Sequence, residues 1–348
     1  MQHTKEYQNK AGQFCMAGLY LVPIAPYNGK PTKAPKAKGW NKPISLDNPA
    51  GFSNNPDDFN NCDGFNFGLY HDASKTLALD LDDLELSIKV FKEAAGVNLL
   101  AWLQNKARAE IKSPKANRGK LLFKLPDGFD HAGLRQLKKG NTGKTVIFEL
   151  RSGNCQDVIY GQHPEGGDYQ FIGDPAKIPL APSVLLDFLQ HWEDWKPCFD
   201  SALGVETEQP KIKPRNSQKV EDLAGRRNPI EEFNQSVQSV LLANGYKAIG
   251  KDRFIRPGSS SKAPGVFLLH DCTDGIERVF SHGGDALNNG FAHDAFDCYR
   301  ILECGRDMGK ALNWSSEITK HNQRLYMKDK AQQKKKQSTP VAGESKDV

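Results

Sequence analysis

Long apolar runs are missing from this sequence, which excludes a membrane-spanning helix, since one needs about 20 consecutive apolar residues. No charged-then-apolar leader opens it, so the expectation is a cytoplasmic protein with no membrane partner. Cysteine is sparse: seven copies are widely scattered, an odd number, and no two are separated by two residues. That pattern excludes a disulfide framework and paired-cysteine zinc sites, and it suits a reducing compartment. A large excess of one charge is also lacking. The net charge of +5 permits nucleic-acid binding without requiring it. No internal repeat is visible, and 348 residues suffice for two ordinary domains.

What the sequence does contain is organised around Lys75-Thr-Leu-Ala-Leu-Asp80-Leu-Asp82-Asp83. Leu77, Leu79 and Leu81 alternate with Ala78, Asp80 and Asp82, the period-two pattern of a half-buried strand. One face buries leucines while the other carries two carboxylates roughly 7 Å apart. Like charges at that distance repel, and a divalent cation between them relieves the repulsion. An acidic strand face with no ligand is the competing reading.

Around this strand the pattern alternates between helices and short strands. Residues 5–19 suit a helix, and Leu19–Ile24 and Phe65–Tyr70 suit strands. A Lys/Pro-rich loop after Gly29-Lys30-Pro31 is a candidate flap over phosphates, and Gly64 and Gly68 are candidate points of close backbone–ligand approach. Leu84 to Asn105 reads as a helix broken at Gly96. Ile111 opens a basic loop through Arg118 and Lys120, followed by a strand at Leu121–Leu125. Val146–Arg151 alternates and puts Glu149 and Arg151 on one face. Strands at Asp157–Tyr160 and Tyr169–Ile172 flank a turn at His163–Gly167, and an amphipathic helix at Val184–Trp195 closes this half. Gly140-Asn-Thr-Gly143-Lys144-Thr145 mimics a nucleotide-hydrolysis loop. However, Lys138 stands where its first glycine belongs and a strand follows, so a hairpin turn and no helicase motor are expected.

The boundaries that follow are a first domain at 1–198, a linker at 199–227, a small second domain at 228–316 and a disordered basic tail at 317–348. In the second domain a helix is expected from Pro229, then three short strands and a helix at Asp294–Leu302. His270, His282 and His293 read as structural residues, and the cysteines as small core residues.

Asp80, Asp82 and Glu149 are the candidate catalytic and metal-binding residues, and Arg118, Lys120, Arg151 and His163 the candidate nucleotide-binding residues. Three carboxylates on adjacent strands suit divalent metals in an in-line displacement, and the cations suit a triphosphate. The order Leu19–Pro23, Gly29-Lys30-Pro31, Gly39-Trp40, Leu77–Asp82, Arg118-Gly-Lys-Leu-Leu-Phe, Phe148-Glu-Leu-Arg and His163-Pro resembles the primase–polymerase branch of the archaeo-eukaryotic primase superfamily. This is the type carried by phages, prophages and plasmids. The resemblance covers roughly the first half of the chain.

It implies an α+β fold, with a modified RRM-like catalytic core followed by a small α+β C-terminal domain. It also implies primer synthesis on single-stranded DNA from nucleoside triphosphates with Mg²⁺ or Mn²⁺; because no helicase motor is expected in the chain itself, a separate replicative helicase is the expected partner. Paired metal-binding acids fall on Asp80 and Asp82, and the third-motif acid on Glu149. Lys120 stands at or near the place of a phosphate-contacting histidine carried by many members, and His163 matches a further histidine motif. The second domain resembles a small module attached to primases and helicases of mobile elements, which implies template or partner binding. Two other functions remain open: a catalytically weak replication or origin-binding protein that retains the fold, and a metal-dependent nuclease.

Overall fold

Leucine alternation does set the central strand. In the computed structural model, which describes residues 2–62, 64–130, 132–139, 145–205, 211–212, 225–270, 272 and 274–337, Leu77, Leu79 and Leu81 are fully buried. The fold is α+β, and the chain divides into two compact units. The first comprises Met1–Thr207 with Ser260–Ala263, the second Glu208–Ser259 with Pro264–Val348.

The first unit runs α1 (Gln2–Met16), β1 (Leu21–Ile24), β2 (Asn66–Tyr70), α2 (His71–Ser74), β3 (Thr76–Leu81), α3 (Leu84–Ala95) and α4 (Leu99–Gln104). It continues through β4 (Ala109–Lys112), β5 (Gly119–Lys124), β6 (Leu134–Lys139), β7 (Thr145–Arg151), β8 (Gln156–Gln162), β9 (Asp168–Ile172), α5 (Ser183–Gln190) and α6 (Trp192–Ala202). The nine strands form one sheet in the order β1-β2-β8-β9-β4-β5-β3-β7-β6, every neighbouring pair antiparallel.

Register decides which side chains meet. Leu81 pairs with Phe148 and Leu79 with Leu150, so the leucine face of β3 continues into β7. On that face Phe148 packs edge-on against Phe91 of α3 at 5.1 Å and Phe199 of α6 at 5.4 Å. A buried leucine truncated to alanine there costs about 2–5 kcal/mol. Ala78, on the opposite face of β3, belongs to a second cluster with Phe14 of α1, Phe67, Ile111, Leu122 and Tyr169. The alternate face of β3 is therefore apolar at Ala78 and acidic from Asp80 onward.

Some expectations shift. Ile111 lies in β4, not at the start of a loop, because strands β5 and β9 supply partners on both sides. Strand β6 was not anticipated. Only its Leu137 is buried, and its charged sequence suits a sheet edge. The single helix at 184–195 is two helices broken at His191, whose φ of −124° is not helical. The expected linker start at 199 falls inside α6. The hairpin turn at 140–144 lies outside the described residues, as does most of the linker.

The second unit contains β10 (Lys211–Ile212), α7 (Val237–Ala243), β11 (Lys247–Ile249), β12 (Arg253–Ile255), β13 (Val266–Leu269), β14 (Arg278–Ser281), β15 (Phe291–Ala292), α8 (Ala295–Leu302), α9 (Met308–Leu312) and α10 (Ser316–Gln337). Strands β11 to β14 form an antiparallel sheet, and Val240, Leu241, Phe254, Val266, Val279 and Cys298 share its core. The helix expected from Pro229 starts only at Val237, where the Ser236 hydroxyl accepts from Ser239 N–H at 3.0 Å and caps it. Residues 316–337 are helical where disorder was expected. Ile318 is buried in the first turn of α10, whose lysine, glutamine, glutamate and arginine residues lose little rotamer freedom in a helix.

Candidate active site

Asp80 pairs across the sheet with Lys120 of β5 on one side and Glu149 of β7 on the other. Directly opposed residues share a face, so three adjacent strands present cation, acid and acid in one row. Asp82 follows the end of β3. Its backbone N–H donates to Ile147 O at 2.9 Å, and the Asp83 carboxylate caps α3 by accepting from Leu86 N–H at 3.1 Å. These bonds hold Asp82 at the strand-to-helix corner. Its carboxylate accepts from the Arg118 guanidinium, two residues before Lys120.

The Lys120 ammonium lies 2.8 Å from Asp80 Oδ2 and 2.5 Å from Asp157 Oδ1. Asp157, at the start of β8, was not among the expected site residues. It is 4% exposed, with Arg151 Nε 3.0 Å from Oδ1 and His71 Nε2 2.8 Å from Oδ2. Burial works to raise its pKa, but Lys120, Arg151 and the hydrogen bond from His71 hold the carboxyl well below the usual range. Burial works to lower the Lys120 pKa, and Asp157 and Asp80 together push it up instead. Asp80 is raised, first by burial and then by repulsion from Asp157 and Asp82, with Lys120 opposing.

Glu149 is enclosed. Gln136 donates to one of its oxygens and Arg151 Nη1 to the other at 2.6 Å, leaving it 7% exposed. A cleft of about 320 Å³ is lined by Lys33, Asp80, Asp82, Arg118, Lys120, Arg151 and Asp157, together with Tyr169. Glu149 and His163 are not among the residues lining it. The His163 ring packs on Tyr169 at 5.3 Å, and its Nδ1 accepts from Glu165 N–H at 3.1 Å. Its Nε2 is buried with no hydrogen-bond partner. Burial, followed by the nearby Lys33 charge, lowers its pKa and favours the neutral ring.

The Lys/Pro-rich loop reaches the site through Lys33, whose carbonyl accepts from Gln156 Nε2 at 2.7 Å. Gly68 makes room for Gln156 rather than for a ligand, since a Cβ there would lie 2.3 Å from Gln156 Oε1. Gly64 has open space around it and a φ of +73°, so a turn requires it.

The family model for the N-terminal domain of bifunctional DNA primase/polymerases matches residues 12–184. This segment belongs to the Prim-Pol family. No curated protein matches the chain. The matched segment contains every residue lining the cleft, and the match supports a DNA primase/polymerase-type function, which implies DNA and nucleotide substrates. No described helix is long and apolar enough to cross a membrane.

Prim-Pol enzymes use divalent metals. Among the described residues no three His, Cys, Asp or Glu side chains form a group able to hold an ion. A cation engages each expected carboxylate: Lys120 at Asp80, Arg118 at Asp82 and Arg151 at Glu149. Asp80 and Asp82 nonetheless both border the cleft. Mg²⁺ is commonly bound by one or two carboxylates completed by water and substrate phosphates, so this pair of hard oxygen donors fits such an ion.

Proposed function

We propose that the protein synthesises and extends primers on single-stranded DNA by nucleotidyl transfer, in the replication of a phage, prophage or plasmid. The observation that carries this reading is the pairing in one cleft of three acids, Asp80, Asp82 and Asp157, with four cations, Lys33, Arg118, Lys120 and Arg151. A nucleotide triphosphate brings several negative charges, and Lys and Arg side chains form strong charge-assisted bonds to phosphate oxygens. A nuclease cleft needs the acids but not this concentration of cations.

In this proposal Asp80 and Asp82 hold Mg²⁺ or Mn²⁺ together with the incoming nucleotide. When bound, such ions activate the primer hydroxyl and stabilise the departing pyrophosphate, the two-metal chemistry of phosphoryl transfer. Arg118 exchanges Asp82, and Lys120 exchanges Asp80, for phosphate oxygens, which orients the α-phosphorus for in-line attack. Lys33 covers the same phosphates from its loop. Glu149 stands one strand from Asp80 and bonds Arg151, which supports a role for it in holding that cation rather than in direct contact with substrate. His163 offers its unpaired Nε2–H behind Tyr169, close to the charge of Lys33.

The second reading is a weakly catalytic replication or origin-binding protein. The observation favouring it is that each expected acid already has a cationic partner. Incorporation of labelled nucleotides on single-stranded template with Mg²⁺ or Mn²⁺ separates the two. Primer synthesis supports the enzyme, whereas template binding without incorporation under either metal supports the second reading. A separate replicative helicase is the proposed partner for template unwinding.

A further inference from the structure

Asp157 has no place in the roles above, although it borders the cleft and forms ion pairs with Lys120, Arg151 and His71. Its Oδ1 lies 2.5 Å from Lys120 Nζ and 3.0 Å from Arg151 Nε, and its Oδ2 lies 2.8 Å from His71 Nε2. The other ring nitrogen, His71 Nδ1, is 2.8 Å from Thr76 Oγ1. His71 and Thr76 are fully buried, so Asp157 is tied to the first residue of β3 by a chain that cannot turn toward solvent. Asp80 is situated differently. Its side chain is 21% exposed, it faces the cleft, and Lys120 is the cation bonded to it.

Lys120 therefore has one acceptor that is fixed and one that is free to change partners. An ammonium has three donors on a flexible stem, and a fixed acceptor restricts where the remaining donors point. Lys120 and Arg151 also bring like charges to a single oxygen of Asp157, and the carboxylate offsets their repulsion.

We propose that Asp157 is a positioning residue: held by His71, it is the standing counter-ion that keeps Lys120 aimed into the cleft for the nucleotide triphosphate. Asp157 does not touch the substrate; it acts through Lys120. This inference rests on the primase/polymerase reading.

The test is equilibrium binding of a fluorescent deoxyadenosine triphosphate, with and without Mn²⁺, to the full chain and to Asp157→Asn, Lys120→Met and the double variant. Loss of one charged hydrogen bond weakens binding by about tenfold or more. Each single variant is expected to show that loss, and the double variant to bind within about twofold of Lys120→Met, as for residues acting as one unit. In primer extension Asp157→Asn raises KM more than it lowers kcat. If circular dichroism shows that Asp157→Asn does not fold, Lys120→Met is compared with the double variant, where both charges of the pair leave together. Equal affinity then supports the inference, and a further loss overturns it. Wild-type affinity in folded Asp157→Asn overturns the inference alone. Absence of triphosphate binding by the wild type overturns the primase/polymerase reading and this inference with it.

Discussion

Replacing Lys120 by methionine keeps most of the side-chain volume and removes one ammonium shared by two carboxylates, Asp80 at 2.8 Å and Asp157 at 2.5 Å. Removing one partner of a buried pair costs about 3–5 kcal/mol, because the other charge is left uncompensated. Here Arg151 still reaches Asp157 at 3.0 Å and Asp80 turns toward the cleft, so the lower end, about 3 kcal/mol, is expected. In a unit of roughly 200 residues that loss corresponds to a fall in Tm of about 6–12 °C. The second effect is on substrate. A charged hydrogen bond to phosphate contributes about 1.5–3 kcal/mol, which converts to a rise in nucleotide KM of about tenfold to 150-fold. Steady-state primer extension over a range of nucleotide concentrations reads KM and kcat separately, and thermal melting reads the stability term. An unchanged KM in a folded Lys120→Met protein removes Lys120 from the nucleotide site, whatever happens to Tm.

Glu149→Gln should lower incorporation by about 10- to 100-fold without abolishing nucleotide binding, as expected for a group that orients another; complete loss of activity with normal binding would instead make Glu149 a direct participant. Gly68→Ala should push Gln156 aside and release the Lys33 carbonyl, seen as a raised nucleotide KM with little change in DNA affinity. In the second unit, burial works to raise the Asp297 pKa, but bonds from His293 and Arg300 hold it at about 2, below the ordinary 3.8. Its contribution to stability is therefore present above about pH 4 and is lost as the pH falls toward 2. Asp297→Asn should destabilise the unit at pH 7 and much less at pH 2, read by the fluorescence of Trp314, which packs on Phe233 at 5.2 Å. Equal pH profiles for variant and wild type would refute that assignment.

Local pattern carried the reading as far as local pattern reaches. The alternation through Leu77, Leu79 and Leu81 was enough to find β3 and to place Asp80 on its polar face. The alternation at Val146–Arg151 likewise put Glu149 and Arg151 on one face, and the register then set Glu149 beside Asp80. Asp157 and His71 were not legible, because their pairing joins residues 86 positions apart and depends on how β8 returns over the cleft. One sequence signal pointed there: an aspartate opening an otherwise apolar strand, where burial demands a partner. The engagement of each expected acid by a cation was equally invisible, since Arg118 and Lys120 read as free phosphate ligands rather than as partners of Asp82 and Asp80. In the tail, the scarcity of core residues and the Lys334-Lys335-Lys336 run argue for disorder, while helix propensity favours the α10 conformation.

The central claim is that Asp80 and Asp82 support nucleotide transfer while other surfaces hold the template. The direct measurement compares the wild type with a variant carrying both Asp80→Ala and Asp82→Ala, scoring labelled-nucleotide incorporation and single-stranded DNA binding on the same preparations with Mg²⁺ and with Mn²⁺. Single-strand binding depends on phosphate neutralisation and base stacking rather than on these acids, so the variant should bind with the same salt-dependent affinity. It should incorporate no nucleotide where the wild type does. Undiminished incorporation by the variant, or no incorporation by folded wild type on several templates with either metal, would contradict the account.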